Sequence, residues 1–249
     1  MNLFFKIMIF GLGLCIGSFI NMAVYRVGEE VSFFKKKRSF CDFCKINLKW
    51  QDNIPVWSWL RYGGKSRCCG KKLPLLYPIV EVMTGILFLL NYELGIVSFG
   101  LIINFLIISL LVFEAAFDFK YMMLPDVTAW ALIGLALVKL GLAGFSGGYL
   151  ISALISGIFI FILHKIKIKG KEAMGDGDIL LAVFMGLFLG FPNIVVAFYV
   201  AFIAGAVVGA WLIWRKKVRK LSPIPFGPFL ILGTVVAWLA GEYIIKLVL

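Results

Sequence analysis

Two short acidic stretches stand out in an otherwise apolar chain: Asp118-Phe-Lys-Tyr-Met-Met-Leu-Pro-Asp126 and Met174-Gly175-Asp176-Gly177-Asp178. Carboxylates at the ends of long apolar runs are costly to hold, and for that reason they are functional candidates. Asp126 follows Pro125 and suits the first turn of a helix, which is a sufficient structural role. Asp118 has no such role. It closes an apolar run, where a helix C-terminus disfavours negative charge. In the second stretch, Gly175 and Gly177 let the backbone turn and approach another segment closely. The positive end of the helix that follows favours an ionised aspartate there, although a capped helix start would read the same way. The pair says more than either half. Asp118 and Asp178, on different helices at one membrane boundary, can share a proton. The ionised partner then activates water while the protonated one polarises a carbonyl, the arrangement of an aspartic-protease dyad.

Other chemistry is scarce. His164 is the only histidine, which excludes a His-rich metal hydrolase, and no Ser–His pairing beside a nucleophile elbow occurs. Lys6, Lys139 and Lys246 can snorkel to headgroups. Cys15 lies in an apolar run as a packing residue, whereas Cys41, Cys44, Cys68 and Cys69 share one polar loop.

The elements that must position these residues are membrane spans. Of the 249 residues, 62% are hydrophobic and 15% charged, with mean hydropathy +1.00; soluble domains carry about 25% charge and about 45–50% apolar residues. Runs long enough to cross a bilayer predict eight spans, at roughly 3–24, 75–92, 95–117, 127–144, 147–164, 178–191, 193–214 and 224–248. The fold class expected is therefore all-α, a polytopic membrane helix bundle with a small polar insert between its first two spans. The domains expected are a first span at 1–24, an insert at 25–74 and a core at 75–249. Lys and Arg crowd the connections 25–74, 165–171 and 215–220, Lys120 joins them in 118–126, and the turns near 92–95, 144–148 and 190–193 have none. Basic loops stay cytosolic, which puts both termini outside and both aspartates at the cytosolic face. Net charge +12 then reads as contact with anionic headgroups rather than nucleic acid. The first span is too long, and its basic flank too late, for a cleaved signal peptide.

The ordered motifs resemble the type IV prepilin peptidases, bacterial members of the Gly-x-Gly-Asp membrane aspartic proteases. They are Gly17-Ser-Phe-Ile-Asn21-Met-Ala-Val-Tyr25-Arg26, Cys41-Asp-Phe-Cys44, Gln51-Asp52-Asn53-Ile54-Pro55, Tyr77-Pro78-Ile-Val-Glu81, Asp118 with Leu124-Pro125-Asp126, and Gly175-Asp-Gly177-Asp178. The resemblance implies an inner-membrane endopeptidase that removes the basic leader of prepilins or pseudopilins after glycine. Asp118 and Asp178 would be its catalytic pair, Gly175 and Gly177 would support the loop, and the peptidase reaction would need no cofactor. Many such proteins also methylate the new N-terminal residue with S-adenosylmethionine, an activity associated with the insert.

The family insert commonly has two Cys-x-x-Cys pairs, a spacing suited to tetrahedral zinc. Here the second pair reads Ser66-Arg-Cys68-Cys69, with Ser66 at one expected ligand position and Cys68 as its substitute, so the candidate ligands are Cys41, Cys44, Cys68 and Cys69; the alternatives are a reduced, metal-free loop and a disulfide, which a cytosolic location disfavours. Leu76 also stands where an arginine commonly precedes Tyr-Pro. Both departures touch the methylation module. Two other functions share the aspartates: an intramembrane protease of another substrate class, and a proton-coupled transporter. The first is disfavoured by missing Tyr-Asp motifs, the second by acids at the bilayer edge instead of its midplane.

Overall fold

A computed structural model describes residues 3–32, 38–94, 99–168, 171–172, 174–215 and 224–248. The chain is an all-helical membrane bundle, as expected. Its long helices are α1 (Leu3–Gly28), α3 (Leu76–Glu93), α4 (Phe99–Tyr121), α5 (Asp126–Ala143), α6 (Gly147–Lys165), α7 (Asp176–Leu189), α8 (Asn193–Trp214) and α9 (Gly227–Val248). A one-turn 3-10 helix (Trp50–Asn53) and the short α2 (Trp57–Arg61) lie in the insert, and a two-residue antiparallel ladder joins Lys167–Ile168 to Lys171–Glu172. The eight expected spans correspond to the eight long helices. Six of these, α1, α4, α5, α6, α8 and α9, are long and apolar enough to cross a membrane, and α3 and the 14-residue α7 do not meet that measure. The basic residues at 35–37, 169 and 216–220 lie outside the described residues.

The helices form two compact units, Met1–Ala116 and Phe117–Leu249, with α4 contributing to both. In the first, α1 lies against α3 through glycines. A Cβ on Gly17 would sit 2.6 Å from the Glu81 Cα, and one on Gly13 would sit 2.6 Å from the Gly85 Cα. Small residues let helix backbones meet where lipid offers no hydrophobic drive for association. α4 joins α3 through polar and aromatic contacts. The buried Asn104 amide donates to Asn91 Oδ1 at 2.9 Å, and Phe88 stacks on Phe105 at 4.2 Å. Lys6, expected to snorkel, pairs with Glu93 at 2.6 Å.

The second unit is built around α7. This helix packs on α5, α6, α8 and α9, and Leu181, Ala182, Phe184 and Met185 are fully buried. A helix apolar all round belongs inside a bundle, which is why α7 is short without being marginal. α6 shows the reverse of soluble amphipathicity. Ser152, Ala153, Ser156 and Gly157 face inward, while Ile151, Leu154, Ile155 and Ile162 are exposed. Ser156 Oγ donates to the Ala182 carbonyl at 2.7 Å and so ties α6 to α7. Lys139 lies against two aromatic rings. Its Nζ lies 4.2 Å from the centre of the Phe188 ring and 5.7 Å from that of Trp238, a cation–π box.

Because Gly17 meets backbone, a side chain there cannot be absorbed by a rotamer change. Gly17→Val is expected to destabilise the protein by about 1–3 kcal/mol, read as a lower thermal unfolding midpoint in detergent. Gly11→Ala on the same helix, where nothing lies within 4 Å, is expected to leave the midpoint unchanged.

Candidate functional site

The two aspartates singled out by their positions both fall in the second unit, and both are buried, Asp118 at 5% exposure and Asp178 at 6%. Asp118 occupies the last turn of α4, where its charge needs compensation. That comes from another helix: the N–H of Gly227, the first residue of α9, donates to Asp118 Oδ2 at 3.0 Å. A helix start presents N–H groups with no partner in their own helix, and it offsets here what the end of α4 costs. A Cβ on Gly227 would lie 2.7 Å from Asp118 Oδ2, so only glycine lets the backbone come this near.

Asp178 is the third residue of α7, and it reaches back so that its Oδ2 accepts the Gly175 N–H at 3.0 Å. The two glycines have different roles. Gly175 supplies this donor from an extended conformation, φ −76°, that any residue adopts. Gly177 is sterically required: a Cβ there would lie 2.6 Å from the Leu124 Cβ. The Leu-Pro-Asp turn before α5 and the start of α7 therefore interlock. Asp126 opens α5, as its position after Pro125 implied. Each carboxylate is bonded through Oδ2, and Oδ1 takes no hydrogen bond among the described residues.

Two supporting residues escaped the sequence reading. Gly227 carried a legible signal, since Pro225-Phe226-Gly227-Pro228 is a helix start. Nothing in the sequence linked it to Asp118, 109 positions away. His164 looked like the edge of a basic loop. It is buried instead, with Nδ1 2.8 Å from the Met174 carbonyl and Nε2 3.4 Å from Asp176 Oδ1. It therefore anchors the strand of chain that leads into Asp178.

In the first unit the insert forms two knuckles of identical hydrogen bonding. In one, the Cys41 N–H donates to Ile46 O and the Lys45 N–H to Cys41 O, both at 2.9 Å. In the other, the Ser66 N–H donates to Lys71 O and the Gly70 N–H to Ser66 O, both at 2.8 Å. Bridges Phe40–Asn47 and Lys65–Lys72 close them, and the left-handed residues Lys45 and Gly70 turn them. Ser66 is thus the structural counterpart of Cys41, and Cys69 that of Cys44. Cys68 falls at the position of Phe43, yet its sulfur turns inward to 3.1 Å from Cys44 Sγ.

All four sulfurs lie within 4.8 Å of one another. Sulfurs around a tetrahedral ion at about 2.3 Å stand roughly 3.8 Å apart, and Cys41 and Cys69 stand at 3.8 Å. The four cysteines can hold a metal ion. Burial opposes ionisation of Cys41, but hydrogen bonds from the Cys44 backbone, the Ser66 hydroxyl, the Phe43 backbone and the Cys68 thiol bring it down to about 6. The Cys44 thiol is pushed up to about 12, chiefly by its hydrogen bond with Cys68. Cys41 is therefore a ready thiolate ligand. Ser66 Oγ, 3.3 Å from Cys41 Sγ and 3.1 Å from Cys68 Sγ, supports the cluster as a hydrogen-bond partner.

Two family models match the chain in order, the Bacterial Peptidase A24 N-terminal domain over residues 11–94 and the Type IV leader peptidase family over residues 105–210. A protein named Prepilin leader peptidase/N-methyltransferase from Xanthomonas campestris pv. campestris is 30% identical over 93% of this chain and 90% of its own. One of the same name from Bacillus subtilis is 31% identical over 96% and 95%, and another from Pectobacterium carotovorum subsp. carotovorum is 32% identical over 90% and 89%. No solved structure matches the chain. With relatives of this identity aligned almost end to end and both domain matches in sequence order, the chain belongs to the type IV leader peptidase family.

Proposed function

We propose that this protein is a membrane aspartic endopeptidase that removes the basic leader of type IV prepilins or pseudopilins after glycine, with Asp118 and Asp178 as its catalytic pair. It acts at the cytosolic face of the bacterial inner membrane, with both termini outside, and also methylates the N-terminal residue that cleavage exposes. The reading is carried by one observation: two buried aspartates, each bonded by one backbone N–H and each with its second oxygen uncommitted. The names and domain matches of the relatives support the substrate class. The alternation, along the eight expected spans, of basic connections with ones that lack Lys and Arg supports the orientation.

In this mechanism the pair holds one proton. The ionised carboxylate takes a proton from water as its oxygen attacks the scissile carbonyl carbon, while the protonated carboxyl donates to the carbonyl oxygen. Collapse of the tetrahedral species breaks the C–N bond, and a proton passes to the leaving nitrogen. The backbone donors Gly175 and Gly227 fix both carboxylates before substrate arrives, so reorganisation at the moment of reaction is small.

The metal is zinc in this reading, held by Cys41, Cys44, Cys68 and Cys69 as a structural cross-link between the two knuckles. Bound there, it would supply structural cross-linking rather than catalysis. It would order the loop that carries the second activity, with S-adenosylmethionine as methyl donor.

Incubated with a leader-bearing prepilin and followed by gel shift, Asp118→Asn and Asp178→Asn proteins are expected to lose at least about a hundredfold in cleavage rate. Asp176→Asn, whose side chain is 88% exposed, is expected to stay within about tenfold of wild type; full activity in folded Asp118→Asn protein would overturn the assignment. Metal analysis of purified protein is expected to give one zinc per chain. Cys68→Ala should lower that occupancy where Ser66→Ala does not. Occupancy should also fall on acidification, because protons compete with the metal for the four thiolates.

A further inference from the structure

Part of the insert lies below the level at which the chain leaves α1. That helix carries no charged residue between Lys6 and Arg26. The stretch, about 20 residues at 1.5 Å each, rises ~30 Å, the thickness of a bilayer's hydrocarbon core. Lys6 and Arg26 therefore mark its two faces, and the antiparallel α3 can be measured against them. Lys6 pairs with Glu93 at one face. Towards the other, the Asn21 amide donates to the Tyr77 carbonyl at 3.0 Å, so α3 begins about 7 Å short of the level of Arg26. Gly17 lies against Glu81, about 13 Å short of that level. The Val56 N–H donates to Glu81 Oε2 at 2.7 Å. A glutamate side chain and one hydrogen bond together reach less than that depth, so Val56 and the start of α2 lie within the leaflet.

The surface of α2 suits that depth. Its backbone finds partners within the chain, as lipid requires: the Ser58 N–H donates to the Ile54 carbonyl at 3.1 Å and the Leu60 N–H to that of Val56 at 3.0 Å. Val56, at φ 59°, adopts a conformation that β-branched residues rarely take, and this turn points its N–H at Glu81. Two faces result. Trp59 turns inward, its ring so near Gly64 that a Cβ there would lie 2.9 Å away. Trp57, Leu60 and Arg61 stand at i, i+3 and i+4, which share a helix face. All three are exposed, Trp57 at 57% and Leu60 at 61%. Trp50 before α2 and Leu75 before α3 are exposed as well. An indole and an aliphatic chain beside a guanidinium settle at a headgroup boundary. The Arg61 guanidinium lies 6.0 Å from the centre of the Tyr62 ring and forms no ion pair among the described residues.

We propose that α2 is an interfacial helix seated in the leaflet on the insert's own side, with Trp57 and Leu60 among the upper acyl chains and Arg61 on an anionic phospholipid headgroup. Lipid is the occupant because of where the helix is held. Ile79 and Met83, to either side of Glu81 on α3, are exposed apolar residues of a membrane helix at the same depth. The apolar face of α2 continues that surface towards the headgroups. Charge then selects the lipid. From Arg38 to Lys72 there are eight Lys and Arg against two Asp, and one of those, Asp52, is already taken by Arg67 at 2.8 Å. Each cation left near the bilayer surface favours anionic headgroups. The seat is independent of the reactions proposed above and of which side of the membrane the insert occupies.

The test uses the full-length protein in nanodiscs of phosphatidylcholine mixed with phosphatidylglycerol, wide enough for two chains. The photoreactive residue benzoylphenylalanine is placed at position 57, 60 or 71, one at a time. Trp57 and Leu60 are more than half exposed, so the larger side chain enters without repacking. Lys71, exposed and charged in the second knuckle, is the water-facing reference. After irradiation, phospholipid adducts at 57 and 60 are expected to exceed those at 71 by about tenfold or more. Among the adducts at 60, phosphatidylglycerol is expected to be enriched about fivefold over its share of the disc, the effect of one cation at an anionic surface. Arg61→Gln is expected to remove that enrichment. Adducts at 57 and 60 no more abundant than at 71 overturn the proposal, as does cross-linking of α2 to a second copy of the chain. Lipid adducts without enrichment, or with enrichment that survives Arg61→Gln, support the apolar seat and overturn the role of Arg61.

Discussion

A carboxylate buried among apolar helices needs a donor, and in this chain the donors are the starts of other helices. The Gly227 N–H holds Asp118 and the Gly175 N–H holds Asp178. Much of the second unit follows from that requirement. α9 must begin beside the end of α4, which places Gly227 against Asp118 with no room for a Cβ. α7 must begin against the turn before α5, which leaves no side chain at Gly177. Once both ends are set, α7 is enclosed by its neighbours, and a helix of 14 residues can be apolar on every side.

The same rule, that polar groups in an apolar medium find partners inside the protein, explains the helix faces. On α6 the small and hydroxyl residues point inward and the large aliphatic ones outward. Ser156 spends its hydroxyl on a carbonyl of α7, and the Asn104 amide N–H donates to Asn91 Oδ1. Glycines do for α1 and α3 what interdigitating leucines do in a soluble bundle. The packing is specific because close approach is intolerant: most of these positions have no larger residue that would fit.

How far the sequence could be read depended on whether the signal was local. Span positions were legible because hydropathy is a property of a window; α5, α6 and α8 begin and end within a residue or two of expectation. The start of α7 was legible from its glycines. Asp118 stood out by a conflict of its own, an acid at a helix C-terminus, but the N–H that resolves the conflict comes from 109 residues away and leaves no local trace. His164 was undervalued for the same reason, since its partners lie across a connection of ten residues. In the insert, Cys68 was expected beside Cys44 despite the broken spacing, and its sulfur lies within 4.8 Å of the other three. What spacing could not show is that it takes the place of Phe43 in a repeated knuckle and rotates its sulfur inward.

The insert leaves α1 at Gly28 and rejoins the bundle at Leu76 of α3, and those two helices pack together. Its ends are therefore pinned close together by contacts that owe nothing to its interior, so the entropy of closing this loop is already met by the membrane helices. Such a loop can lengthen, shed a ligand or change its cargo without unpacking what anchors it. The chemistry of the insert and the packing of the helices that carry it are therefore separable: a side-chain change inside the knuckles, such as a serine at position 66, leaves the contacts of α1 with α3 untouched.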